Sequence, residues 1–154
     1  MKQKAMLLDR PEDFRYYGIN PDTVEEWEDG VRDNADPDHF EWWYFDCMLS
    51  DGTKIVIQFL SKNGRTFSSD KFHPTLFFKV TAPDGRQIDK ELHIPAKDIR
   101  WSKETCDIYF GRHYVCGNLK EYRIHIDNAE GMGADLILKS TSRPYRPGTS
   151  YFQF

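Results

Sequence analysis

The sequence predicts an all-β domain, an antiparallel up-and-down barrel or a strongly curved meander sheet, preceded by an extended N-terminal arm with one short helix. Three observations carry this expectation. From Phe40 onward apolar residues recur with period two, which places them on one face of a strand. Turn signals such as Asp51-Gly52 and Pro83-Asp84-Gly85 break that pattern at short intervals. No stretch beyond residue 40 carries the i, i+3, i+4, i+7 stripe of an amphipathic helix. A meander must close or cover its edges, which favours a barrel. An immunoglobulin-like sandwich is the alternative, but no cysteine pair stands where it would bridge two sheets.

The arm, residues 1–37, is acidic and broken by Pro11, Pro21 and Pro37. Its helix is expected over "TVEEWE", with Asp22 or Thr23 as cap, Glu25 in the first turn and Gly30 ending the element. Such an arm wraps over a sheet or barrel. The domain proper, 38–154, begins with a strand at 40–49 that turns through Asp51-Gly52 into 53–60. A polar loop leads to 73–82, a Pro-Asp-Gly turn and the return at 86–94. Shorter segments follow at 97–101 and 105–110, then Gly111 and "RHYVCGN". Along 120–127, Tyr122, Ile124 and Ile126 face one way and Arg123, His125 and Asp127 the other. Residues 134–142 alternate similarly after the turn "NAEGMG". The last stretch, "TSYFQF", stops on Phe154 within a strand-like pattern, so it is expected either to close the barrel or to continue into a longer protein.

Composition narrows the function classes. At 154 residues the chain fits one domain, and an aromatic content of 15 % means that rings supply much of the burial. The net charge is −4 and the 21 Lys and Arg are scattered, which argues against nucleic-acid binding. Three cysteines, Cys47, Cys106 and Cys116, form no CxxC pair and fit a reducing, cytoplasmic setting. Ala5–Leu8 is too short an apolar run for a signal peptide or a membrane span. The histidines form neither HxH nor HExxH, and no phosphate loop or serine elbow is present; neither a metal nor a cofactor is expected.

The stretch that carries chemistry is "DHFEWWYFDC", residues 38–47. On a strand, His39, Glu41, Trp43, Phe45 and Cys47 share one face, and Phe40, Trp42, Tyr44, Asp46 and Met48 share the other. Both faces carry rings and ionisable groups, so both are expected to be covered.

"DHFEWWYFDCMLSDG" resembles the N-terminal signature of the AttH-like and carotenoid hydratase (hydroxyneurosporene synthase) superfamily, and "SRPYRPG" resembles the Arg-Pro-x-x-Pro-Gly segment after the later strands of that family's first domain. The resemblance covers roughly 33–154. It implies a lipocalin-like barrel, normally one of two in tandem, and substrates of apolar isoprenoid or polyketide-like character. The activities it implies are hydration of isoprenoid double bonds or cyclisation, giving a hydro-lyase or cyclase when the protein is complete.

Hydration of an alkene needs a strong acid and stabilisation of a carbocation, which aromatic faces supply at about 0.5–2 kcal/mol each. The candidate catalytic residues are therefore Glu41, Asp46 and Tyr44, with Trp42, Trp43, His39 and Phe45 as substrate wall. Packing and hydrogen bonding explain the same rings without chemistry, and Glu41 is equally an ion-pair partner for Arg143 or Arg146. Arg143, Arg146 and Tyr151 are read as an interface toward a second lipocalin-like domain or a second copy. Two non-catalytic readings stand beside the enzyme: a binding module for an apolar small molecule, and a scaffold domain that docks another barrel.

Overall fold

A computed structural model of the chain describes residues 5–129 and 131–153. The expected position of Phe154 lies outside them. The described chain is mostly antiparallel strand, as the period-two pattern requires.

A two-residue strand, β1 (Met6–Leu7), leads into α1 (Pro11–Tyr17). The arm's α-helix thus forms upstream of the expected site. Pro11 opens it, the Asp13 carboxylate accepts the Arg10 backbone N–H at 3.0 Å, and Gly18 ends it at φ 66°. "TVEEWE" yields a 3₁₀ turn, Glu26–Asp29, capped by Glu25 rather than by Asp22 or Thr23. The arm does wrap the strands: Val31 is buried in the core, and its N–H donates to the Ser102 carbonyl at 2.8 Å. Gly30 allows that approach, because a Cβ there would sit 2.6 Å from the Lys103 carbonyl carbon.

Two meanders follow. The first sheet runs β2 (Trp42–Met48), β3 (Lys54–Leu60), β4 (Thr75–Thr81) and β5 (Gln87–His93) in that order. The second runs β6 (Ile99–Trp101), β7 (Cys106–Phe110), β8 (His113–Gly117), β9 (Glu121–Ala129) and β10 (Met132–Lys139). "RHYVCGN", unassigned from sequence, supplies β8. The register places Trp43, Phe59 and Leu76 in one inward row and Tyr44, Gln58 and Phe77 in the adjacent outward row. The inward rows of the two sheets share one core, with Phe59 edge-on to Phe110 at 5.3 Å and Phe45 against Tyr122 at 5.5 Å. The three cysteines are free.

The expected closing strand behaves otherwise. β11 (Phe152–Gln153) pairs with β1, so this segment ties to the start of the arm instead of extending either meander. Thr149 and Tyr151 add backbone bonds to Leu8, and Tyr151 stacks on Tyr17 at 3.8 Å.

Candidate functional site

β2 decides which of the motif's rings can meet a ligand. Trp43 is 5 % exposed, whereas Trp42 and Tyr44 on the opposite face are 49 % and 46 % exposed. Within this chain the Trp42 and Tyr44 side of β2 stays about half exposed. Only the Glu41, Trp43, Phe45 and Cys47 side meets the core, because the facing sheet supplies rings for one side of β2 alone.

A cleft of about 520 Å³ brings the edge strand of each sheet together. Trp42, Trp43, Tyr44 and Phe45 of β2 line it with Leu138 and Lys139 of β10. Leu119 and Tyr122 add apolar surface, the arm contributes Val24, Glu28, Asp29 and Arg32, and the segment before β11 contributes Tyr145, Arg146 and Ser150. Four of the seven motif residues named from sequence thus converge. The other three do not. Asp46 lies on the outward face, where it accepts the Tyr44 hydroxyl at 3.3 Å. His39 and Glu41 line a smaller neighbouring cleft of about 160 Å³ that shares Arg32, Trp42 and Ser150 with the main one.

Two acids line the main cleft: Glu28 is paired with Arg146, and the other is Asp29, which sequence reasoning passed over. The Tyr122 hydroxyl donates to Asp29 Oδ2 at 2.5 Å, and the Trp43 indole N–H donates to the Asp29 carbonyl at 2.9 Å. Burial pushes the Asp29 carboxyl above the ordinary aspartate range, while Tyr122 and the Arg32 charge pull against that shift. Burial and the same carboxylate push the Tyr122 phenol up. Gly117, the cross-strand partner of Tyr122, makes this contact possible: a Cβ at 117 would run into the tyrosine ring.

Glu41 has a different environment. Its Oε2 accepts the backbone N–H groups of Arg32 at 2.8 Å and Asp33 at 3.0 Å, and its Oε1 faces Arg32 Nε at 3.6 Å. Its ion-pair partner is therefore Arg32, not Arg143 or Arg146. Burial raises its carboxyl, and the two backbone donors oppose the rise. Beside it Ser61 donates to Asp33 at 2.5 Å and accepts the Glu41 backbone N–H at 2.9 Å. The wholly buried Lys62 gives its ammonium to the carbonyls of Ala35, Asp36 and Ser69 at 3.1, 2.5 and 2.9 Å.

Two of the three residues read as an interface, Arg146 and Tyr151, are engaged within the chain. Arg146 and Glu28, with side chains only 6 % and 3 % exposed, place Nε and Oε2 2.5 Å apart without the alignment of a hydrogen bond. Arg146 Nη2 also donates to the carbonyls of Asn20 and Thr23, so it staples the arm to the "RPYRPG" segment. The Arg32 guanidinium lies 5.1 Å from the Tyr151 ring centre, and Arg143 is exposed.

Comparisons with family models, with curated proteins and with solved structures return no match to this chain. Among the described residues, no group of three His, Cys, Asp or Glu is placed to hold a metal ion. No helix among them is long and apolar enough to cross a membrane.

Proposed function

We propose that this chain is a lipocalin-like domain whose main cleft binds an apolar isoprenoid or polyketide-like small molecule, and that Asp29 is the acid presented to it. The observation that carries the reading is the desolvated Asp29 carboxyl in a cleft walled by Trp42, Tyr44 and Phe45. A mostly apolar cleft with a few convergent polar groups is the usual form of a small-molecule site. The resemblance to carotenoid hydratases and related cyclases supports the same class of substrate. In a hydration, the Asp29 carboxyl protonates an alkene carbon, water adds to the resulting carbocation, and a proton returns to the carboxylate. The net change is addition of one water. The neighbouring rings stabilise the cation in between. In a cyclisation the same walls fold the substrate.

Native mass spectrometry with tryptophan fluorescence, run over isoprenoids, polyenes and fatty acids, tests the binding half. One-to-one binding that quenches indole emission is the expected result. Asp29→Asn tests the chemical half: it should keep binding and abolish turnover. A panel without any binder, or an Asn variant that turns over like the parent, contradicts the corresponding half.

A second reading has its own observation. Trp42, Tyr44 and Met48 stand exposed on the outward face of β2, with Phe40 stacked on Trp42 at 5.1 Å and edge-on to Phe67. A face of that kind suits docking of a second barrel or a second copy. Sedimentation velocity checks it, and a strict monomer at all concentrations removes the homodimer version.

A further inference from the structure

Among the described residues the two meanders end in four edge strands, and one of these is built unlike the others. Natural edge strands are kept from pairing with foreign strands by shortness or by charge. β5 carries Asp89, Lys90 and Glu91, β6 has only three residues, and β10 sets Asp135 and Lys139 on either side of Ile137. β2 has neither device. It runs for seven residues with Asp46 as its one charge, and Trp42, Tyr44 and Met48 stand exposed along it.

The register fixes which backbone groups that edge leaves open. In an antiparallel pair, residues that bond to the neighbouring strand alternate with residues whose backbone groups turn away from it. At the two ends of the β2–β3 pairing, the Leu49 N–H donates to the Thr53 carbonyl at 2.8 Å and the Ser61 N–H to the Glu41 carbonyl at 2.9 Å. Odd-numbered residues of β2 therefore bond to β3. The N–H and C=O groups of Trp42, Tyr44, Asp46 and Met48 point away from it, and no other described residue bonds to them.

Resting on the docking reading above, we infer that a second copy of this chain covers the β2 edge, the two β2 strands pairing antiparallel about a two-fold axis at Phe45. A strand that pairs with itself must complement its own reversal, and this one does. A centre at Phe45 overlaps all seven residues, setting Trp42 opposite Met48 of the second copy and Tyr44 opposite its Asp46. Indole then meets thioether, a favourable contact. The phenol meets a carboxylate of the kind that already accepts it within one strand, at 3.3 Å. A centre at Asp46 would oppose like charges, and a centre at Tyr44 would leave Met48 beyond the end of the strand. Because Trp42 and Tyr44 also line the main cleft, Met48 and Asp46 of the second copy complete its rim.

Sedimentation velocity over a concentration series finds the dimer, and amide hydrogen exchange of the full chain, read by NMR on either side of the transition, tests the pairing. The amides of Trp42, Tyr44, Asp46 and Met48 should exchange roughly tenfold more slowly in the dimer than in the monomer. Those of Trp43, Phe45 and Cys47, which bond to β3, should be protected in both. Met48→Asp buries a carboxylate against the Trp42 ring across the axis and should raise the dimer dissociation constant about tenfold. Circular dichroism checks that this variant folds, and the exchange pattern of the parent decides even where it does not. A dimer whose even-numbered β2 amides exchange as in the monomer, or one that a folded Met48→Asp chain forms equally well, overturns edge pairing and leaves docking through the face of β2 standing. A chain that stays monomeric at all concentrations overturns the inference and the homodimer version of that reading together.

Discussion

Two partly buried carboxyl sites flank β2, and their partners differ. Glu41 accepts two backbone N–H groups and faces Arg32, inside a cluster completed by Ser61, Asp33 and Lys62. Asp29 receives a single side-chain hydroxyl, that of Tyr122, and opens on the larger cleft. Burial raises both carboxyls, so desolvation alone does not separate them. What separates them is how many donors hold each one. A carboxylate fixed by backbone donors clamps the chain; a carboxyl with one hydroxyl partner keeps lone pairs for a ligand.

The largest effect expected from this contrast lies on β2 itself. Trp43→Ala should cost about 3–5 kcal/mol in denaturant unfolding, because the ring is core. Trp42→Ala, half exposed on the cleft wall, should leave stability within about 1 kcal/mol of the parent while weakening ligand binding. Equal losses from the two variants would erase the distinction between wall and core.

Next comes the clamp. Lys62→Met leaves three backbone carbonyls without their ammonium donor and should destabilise the chain by about 3 kcal/mol, with increased hydrogen exchange over 33–38. Ligand binding in the folded fraction should survive. Loss of binding in a folded Lys62→Met chain would show that the two sites act as one.

A smaller effect reads the Asp29 carboxyl by pH. A carboxyl whose folded pKa is raised makes the folded state bind more protons than the unfolded chain between the two values, so stability falls as pH rises through that window. Asp29→Asn removes this dependence. The variant should gain stability relative to the parent above the ordinary aspartate range, and the gain should shrink as pH falls below it. Thermal melts from acid to neutral pH check this, and a gain independent of pH would contradict the raised Asp29 carboxyl.

The smallest effect is in the backbone that the clamp holds. Ala35 adopts φ 66° and Asp38 φ 62°, conformations costly for a residue with a Cβ. Ala35→Gly should stabilise by about 0.5–1 kcal/mol in urea unfolding, the relief of strain less the added chain entropy.

The meander was legible because alternation is local. Tyr122, Ile124 and Ile126 fall inward as their spacing requires, and the Asp51-Gly52 and Pro83-Asp84-Gly85 turns stand where the residues put them. The helix at Pro11–Tyr17 had its signals too, Pro11 at the start, Asp13 in the first turn and Gly18 at the end, but seven residues show too little periodicity to compete with a run such as "TVEEWE". The Asp29–Tyr122 pair joins residues 93 apart, and no spacing rule reaches that far. The expected helix over "TVEEWE" gave Asp29 no partner, since nothing in the arm names the strand residue it meets. Lys62 is similarly masked, because a lysine in a polar loop announces water rather than three backbone carbonyls. Which side of β2 faces inward depended on the second sheet, whose position the alternation of β2 does not contain.

The central claim is that the cleft holding Asp29, rather than the exposed face of β2, receives the ligand. Intermolecular NOEs between unlabelled geranylacetone and isotope-labelled protein test it most directly. The account predicts contacts to the Trp43 indole, the Tyr122 ring and the Leu138 methyls. Contacts confined to Leu60 and Phe77 on the outward face, with none to Tyr122 or Leu138, would contradict it.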